Sequence, residues 1–246
     1  MPIPLLAALQ FLTLIPPLVK RPFTEKELGQ AVGFYSLVGL IIGAVLVGAN
    51  MLLALVFPPF VRAALILALW VLMSGALHLD GFLDACDGIF GGFTPEKRLE
   101  IMHDERVGAF GLAGGVLLMM MKFTTLSALP NPNAALLLVP TLSRWGMSLA
   151  LIAYPYARDQ GLARAIKDNA GWKQLVLASV IAIITAWFTF QWIGLIALVM
   201  AGVIVWLAAT FVLRRIPGLT GDIYGALNEL VELVLIIIFV AWQFTT

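Results

Sequence analysis

The sequence predicts an all-α, polytopic integral membrane protein: a helical bundle of about seven transmembrane helices plus an amino-terminal interfacial or re-entrant helix. Three observations carry that prediction. Of 246 residues, 61% are hydrophobic and only 12% charged, whereas a soluble globular chain carries roughly a quarter charged residues. Gly33–Phe57 runs 25 residues and Leu175–Leu213 runs 39 without a charge, and one bilayer crossing takes ~20 apolar residues. Lys and Arg, finally, crowd into alternate linkers.

Seven spans follow from the apolar runs: 31–57, 61–79, 107–129, 134–154, 175–190, 194–213 and 226–244. Pro58-Pro59, Pro130-Asn131-Pro132 and Gln191–Gly194 mark short reversals between them. Pro2–Pro17 is too short to cross and begins and ends in prolines, which suits an interfacial or re-entrant helix. That segment lacks a basic n-region and a small-residue cleavage site, so it does not read as a signal peptide. No repeat divides the chain, and residues 1–246 read as a single transmembrane catalytic domain. The one cysteine, Cys86, excludes an internal disulfide. A net charge of +1 and the lack of a basic aromatic tract give no reason to expect nucleic acid. Gly33, Gly39, Gly43 and Gly48 suit close helix packing within one chain or between copies, which leaves a homo-oligomer open.

With the linker at Lys20–Gln30 placed in the cytoplasm, 12 of the 15 basic residues fall on that side, the positive-inside pattern of a multi-pass cell-membrane protein. All 14 Asp and Glu residues lie in or beside the same segments. The positive-inside rule makes no such demand on acids, so the expected active site faces the cytoplasm.

Three motifs could carry chemistry. In HLDGFLDACDG (His78–Gly88), Asp84 and Asp87 lie about 40° and −20° from Asp80 on a continuous helix. Three carboxylates on one stripe at a membrane edge call for a cation. Oxygen donors without a His/Cys cluster favour a hard divalent ion such as Mg²⁺; acids capping a solvated helix end are the plainer reading of any one of them. In TPEKRLEIMHDERVGAFG (Thr94–Gly111), Thr94 suits an N-cap and Pro95 the first helical position. Arg98 and Arg106 suit bidentate phosphate binding. Asp104 could complete a metal site, and His103 could act as a general base. In GLTGDIYGALNELVE (Gly218–Glu232), Gly218–Asp222 could form a phosphate nest. Asp222 and Glu229 open a membrane helix, where acids need a cavity or partner. Lys122 and Arg144 fall inside spans; they are substrate-binding candidates by default, or they snorkel, or they pair with those acids.

These motifs, in this order on a chain of this length, resemble cobalamin synthase, the adenosylcobinamide-GDP ribazoletransferase family. The resemblance covers essentially the whole chain. The ALQFLTLIP opening (Ala8–Pro16) is similar too, except that Leu14 stands where that family would be expected to carry a basic residue. The resemblance implies a Mg²⁺-dependent transfer in which α-ribazole, or its 5′-phosphate, attacks the pyrophosphate of adenosylcobinamide-GDP and releases GMP at the lipid bilayer. It suggests Asp80, Asp84 and Asp87 as metal ligands, Asp104 as a further ligand or base, and Arg98 and Arg106 on phosphate. Asp222 and Glu229 would close the site. The acid stripe is also analogous to the aspartate motif of CDP-alcohol phosphotransferases, but Asp84-Ala85-Cys86 lacks the arginine of that motif. A secondary transporter would place acids near mid-bilayer in inverted repeats, and neither feature stands out.

Overall fold

The computed structural model describes residues 2–245, with side chains through residue 243. The described residues form eleven α-helices and one 3-10 turn (Val32–Phe34): α1 (Ile3–Leu12), α2 (Glu25–Ala31), α3 (Tyr35–Leu53), α4 (Pro59–Met73), α5 (Leu77–Gly91), α6 (Pro95–Ile101), α7 (Ala109–Ala128), α8 (Asn133–Ala153), α9 (Leu162–Asn169), α10 (Trp172–Leu213) and α11 (Gly221–Thr245). Five helices are long and apolar enough to cross a membrane, or six if the bent α4–α5 pair counts as one span. The expected count of seven is therefore not reached by length and composition. The all-helical membrane architecture is.

Two reversals explain the difference. The expected second span, 61–79, ends early. Ala76 N donates to the Val71 carbonyl and Gly75 N to that of Leu72, with Gly75 at φ +61°, a helix stop built on a left-handed glycine. Helix α5 then leaves at 87° to α4, so His78–Gly88 occupies a helix of its own. In α10 the turn expected near Gln191 is present: Gln191 has φ +50°. A Cβ on Gly194 would lie 2.1 Å from the Ala186 carbonyl oxygen, eight residues back and ~12 Å away in a straight helix. The chain doubles back here, and each half of α10 is apolar.

Helices α8 and α11 form the centre, and α3 crosses α8 at backbone contact. A Cβ at Gly39 would meet the Pro140 oxygen at 2.2 Å, and one at Gly43 the Leu136 oxygen at 2.7 Å. Gly33 faces α10 at Gln174 and Leu177, and only Gly48 of the four glycines has open space. Helix α1 is not purely interfacial, because Ala7, Ala8, Leu9 and Leu12 are buried in the bundle. Its exit is tied to the α4 stop, where Leu14 N donates to Met73 O at 2.9 Å and the Leu14 side chain covers Gly75.

The charged linkers meet at one end of the bundle. Gly29 touches Asn169, Arg98 donates to the Arg215 carbonyl at 3.2 Å, and Tyr156 pairs with Leu219 in an isolated parallel bridge. At the opposite end Asn50 donates to Asn133 at 2.7 Å.

Gly39→Val should cost about 1–3 kcal/mol, as overpacking does, and lower the thermal unfolding midpoint in detergent. Gly48→Val, with nothing within 4 Å of the new Cβ, should leave that midpoint unchanged. Equal midpoints for both variants would contradict the α3–α8 crossing.

Candidate active site

The site begins with small residues. A Cβ on Gly81 of α5 would lie 2.9 Å from the Asp222 carbonyl oxygen, and one on Gly225 of α11 would lie 3.1 Å from that of His78. With no side chain at either position, the two helices touch backbone to backbone, which brings Asp80 and Asp222 to one cavity of about 850 Å³. His78, His103, Tyr156 and Arg158 also line it. Asp84, one turn beyond Asp80, lies within electrostatic reach of Asp80, Asp222, Asp87 and Arg158.

The loop after α8 is held against the start of α11. Ala157 N donates to Leu219 O and Leu219 N to Pro155 O, both at 2.8 Å. Gly218 permits this, since a Cβ there would lie 2.5 Å from the Tyr156 backbone. The Leu219 amide is thus engaged with protein rather than open as part of an anion nest. Thr220 caps α11 by accepting from Ile223 N at 3.3 Å. Its hydroxyl also donates to Asp222, at 3.2 Å, and Arg158 Nη2 reaches the same Asp222 oxygen at 3.2 Å.

The three expected metal ligands therefore separate. Asp80 opens onto the cavity and Asp84 stands beside it. Asp87 turns to α7, where its two carboxylate oxygens accept from Gly108 N at 2.7 Å and Gly111 N at 2.8 Å. It caps that helix and answers its positive end. Glycines again allow the approach: Gly108 and Gly111 pack on Asp87, and Gly114 on Cys86.

Three further candidates lie away from the cavity wall. Arg98 donates to the carbonyls of Ile89 at 3.4 Å and Arg215 at 3.2 Å, closing helix ends. Arg106 holds Asp104 by a salt bridge of 2.7 Å between exposed groups. The hydrogen bond from the Arg106 side chain pulls the Asp104 carboxyl down to about 2, which makes it a weak proton acceptor at neutral pH. Its neighbour His103 is the one of the pair that reaches the cavity.

Lys122, Arg144 and Glu229 gather in the bundle interior around Glu232. Lys122 Nζ donates to Glu229 and, at 2.6 Å, to Glu232; Arg144 Nη1 donates to Glu232, as does Asn228 Nδ2 at 3.0 Å. All are 5% exposed or less. Arg144 Nη2 lies 3.4 Å from His78 Nδ1 and so connects this cluster to the cavity wall. The pairing of intramembrane cations with α11 acids was one of the alternatives open in the sequence. Arg158, Tyr35, Tyr156 and Tyr224 were not singled out there. Arg158 counted only toward the positive-inside pattern, and no local spacing links tyrosines on α3, a loop and α11.

A family model described as cobalamin-5-phosphate synthase matches residues 4–240. The chain belongs to that family. Similar relatives include adenosylcobinamide-GDP ribazoletransferases from three organisms. That of Desulfitobacterium hafniense (strain Y51) is 38% identical over 94% of this chain and 93% of the relative. Those of Stutzerimonas stutzeri (strain A1501) and Pseudomonas paraeruginosa (strain DSM 24068 / PA7) are 40% and 41% identical, over 94% and 93% of this chain and 94% of each relative. No solved structure matches.

Two variants probe the supports of the site. Asp87→Ala should cost about 0.5–2 kcal/mol, as losing a helix cap does, and should do so equally with and without Mg²⁺ in a detergent melt. Glu232→Gln strands buried cations and should cost about 3–5 kcal/mol in the same measurement.

Proposed function

We propose that this chain is an adenosylcobinamide-GDP ribazoletransferase working at the cytoplasmic face of the cell membrane. The observation that carries the reading is the convergence of Asp80, Asp222, Arg158 and His103 on one cavity at the charged end of the bundle. Family membership and the names of the relatives support the same chemistry. The distribution of Lys and Arg supports the orientation.

In the proposed reaction, a ribose hydroxyl of α-ribazole or its 5′-phosphate attacks the phosphorus that carries cobinamide. A new P–O bond forms as the bond to the GMP oxygen breaks, and GMP leaves with that electron pair. The hydroxyl proton passes to His103. Asp222 lines the same cavity as His103. Arg158 retains N–H donors beyond its bond to Asp222 and meets a phosphate oxygen. Transfer of this type needs positioning and charge neutralisation more than covalent help from the protein.

Mg²⁺ fits the donors. Asp80, Asp84 and Asp222 offer only carboxylate oxygens, the class a hard cation takes, and their mutual repulsion favours one. Among the described residues no three such groups are already drawn into a metal-binding cluster, so the pyrophosphate would supply part of the coordination. Asp87 is left out because its oxygens are engaged with α7. When bound, Mg²⁺ supplies neutralisation of the pyrophosphate and leaving-group charge.

Purified protein in detergent should release GMP from adenosylcobinamide-GDP when α-ribazole or its 5′-phosphate is added. EDTA should abolish release and Mg²⁺ restore it. His103→Ala should lower kcat by about 10²–10⁴-fold, the range for a lost general base, and Asp222→Asn should lower it as well. A well-folded wild-type protein that releases no GMP with either ribazole form would sink the reading.

A further inference from the structure

The cavity changes character with depth. Its mouth carries Asp80, Asp159 and Gln160, all exposed. Its inner wall is apolar and aromatic: Tyr35 is 2% exposed, Tyr224 4%, Leu151 4% and Ile166 2%. Two near-parallel ring pairs face this space. Tyr156 and Tyr224 have centroids 6.3 Å apart with planes at 17°, and Phe11 and Tyr35 lie 6.4 Å apart at 27°.

Two wall residues carry a polar atom that is buried behind the cavity surface without a protein partner, the Tyr224 hydroxyl and His78 Nε2. Arg144 Nη2 faces His78 Nδ1 at 3.4 Å. Arginine can only donate, so Nδ1 accepts and Nε2 carries the hydrogen of the neutral ring. Both donors lie behind the wall, so the surface that a ligand meets there is apolar and aromatic.

Resting on the transferase reading, we infer that the inner cavity is the seat of the nucleoside acceptor. The benzimidazole base of α-ribazole lies against the Tyr156–Tyr224 and Phe11–Tyr35 faces. The ribose then lies toward the mouth, beside Asp80, Asp222 and His103. Three considerations select this occupant over the corrinoid donor. A volume of about 850 Å³ suits a ligand of drug size, and a corrin with its amide side chains and nucleotide exceeds it. A pyrophosphate is repelled from an interior approached past carboxylates, and belongs at the mouth with Arg158. The guanine of the donor presents a hydrogen-bonding edge with donors of its own, and the inner wall offers no buried carboxylate or amide to receive them. A benzimidazole asks chiefly for apolar faces. The corrinoid stays outside, with only its phosphate end reaching in.

The test is a split of Michaelis constants in the full-length protein with Mg²⁺. Tyr156→Ala and Tyr224→Ala should raise KM for α-ribazole by about 5- to 150-fold, the range for lost base stacking, and leave KM for adenosylcobinamide-GDP unchanged. Tyr224→Phe keeps the ring and the fold, and should leave the α-ribazole KM unchanged, because the hydroxyl lies behind the wall. In the alanine variants, a rise confined to the corrinoid KM, or no rise in either, overturns the inference. Equilibrium dialysis of labelled α-ribazole separates this from the function itself. Wild-type protein that binds α-ribazole, with binding weakened in both alanine variants, but releases no GMP supports the pocket and contradicts the transferase reading. Turnover with unaltered α-ribazole binding in the variants retains the reaction and removes the pocket.

Discussion

Glu232 is the residue around which the bundle is arranged. It receives Lys122 from α7, Arg144 from α8 and Asn228 from its own helix, and through Arg144 it reaches His78 on α5. In hydrocarbon no water can take the place of any of these partners. A rotation of α11 would strand two cations at once, so the cluster fixes the face that α11 turns to α5. Seven and ten residues upstream, α11 carries Gly225 and Asp222. The position of the cavity acids thus follows from an interaction made in the bundle interior.

The second constraint is proximity without side chains. Gly81, Gly225, Gly108, Gly111 and Gly218 each let a backbone or carboxylate approach where a Cβ would collide. Such contacts are how membrane helices pack in the absence of a hydrophobic drive between them. Here they also decide which acids share a cavity. Gly81 and Gly225 bring α5 to α11, and so Asp80 to Asp222, while Gly108 and Gly111 draw Asp87 away to α7.

Much of this was legible in the sequence because the bilayer simplifies reading. Long uncharged runs, the clustering of charged linkers and the placement of Asp80, Asp84 and Asp87 on one helix follow from composition and helix periodicity. The turn at Gln191 announced itself by polarity between two apolar runs. Other features were hidden for physical reasons. The apolar pattern runs unbroken through the α4–α5 corner, so by pattern alone the helix continues past the stop at Ser74-Gly75. Asp87 is engaged by backbone amides, which leave no trace in residue type. The aromatic wall draws on Phe11, Tyr35, Tyr156 and Tyr224, separated along the chain by whole helices, and only tertiary packing brings them together.

The division of labour among the aspartates of α5 also bears on how genetic data from this family should be interpreted. In a growth assay, the flux through an enzyme is its abundance multiplied by its turnover per molecule. In the proposed reading a change at Asp87 acts on the first factor, because an uncapped α7 enlarges the unfolded fraction that proteases clear. A change at Asp80 acts, in the proposed chemistry, on the second. The two would give the same auxotrophy from a single motif, and overexpression would relieve one phenotype and leave the other in place.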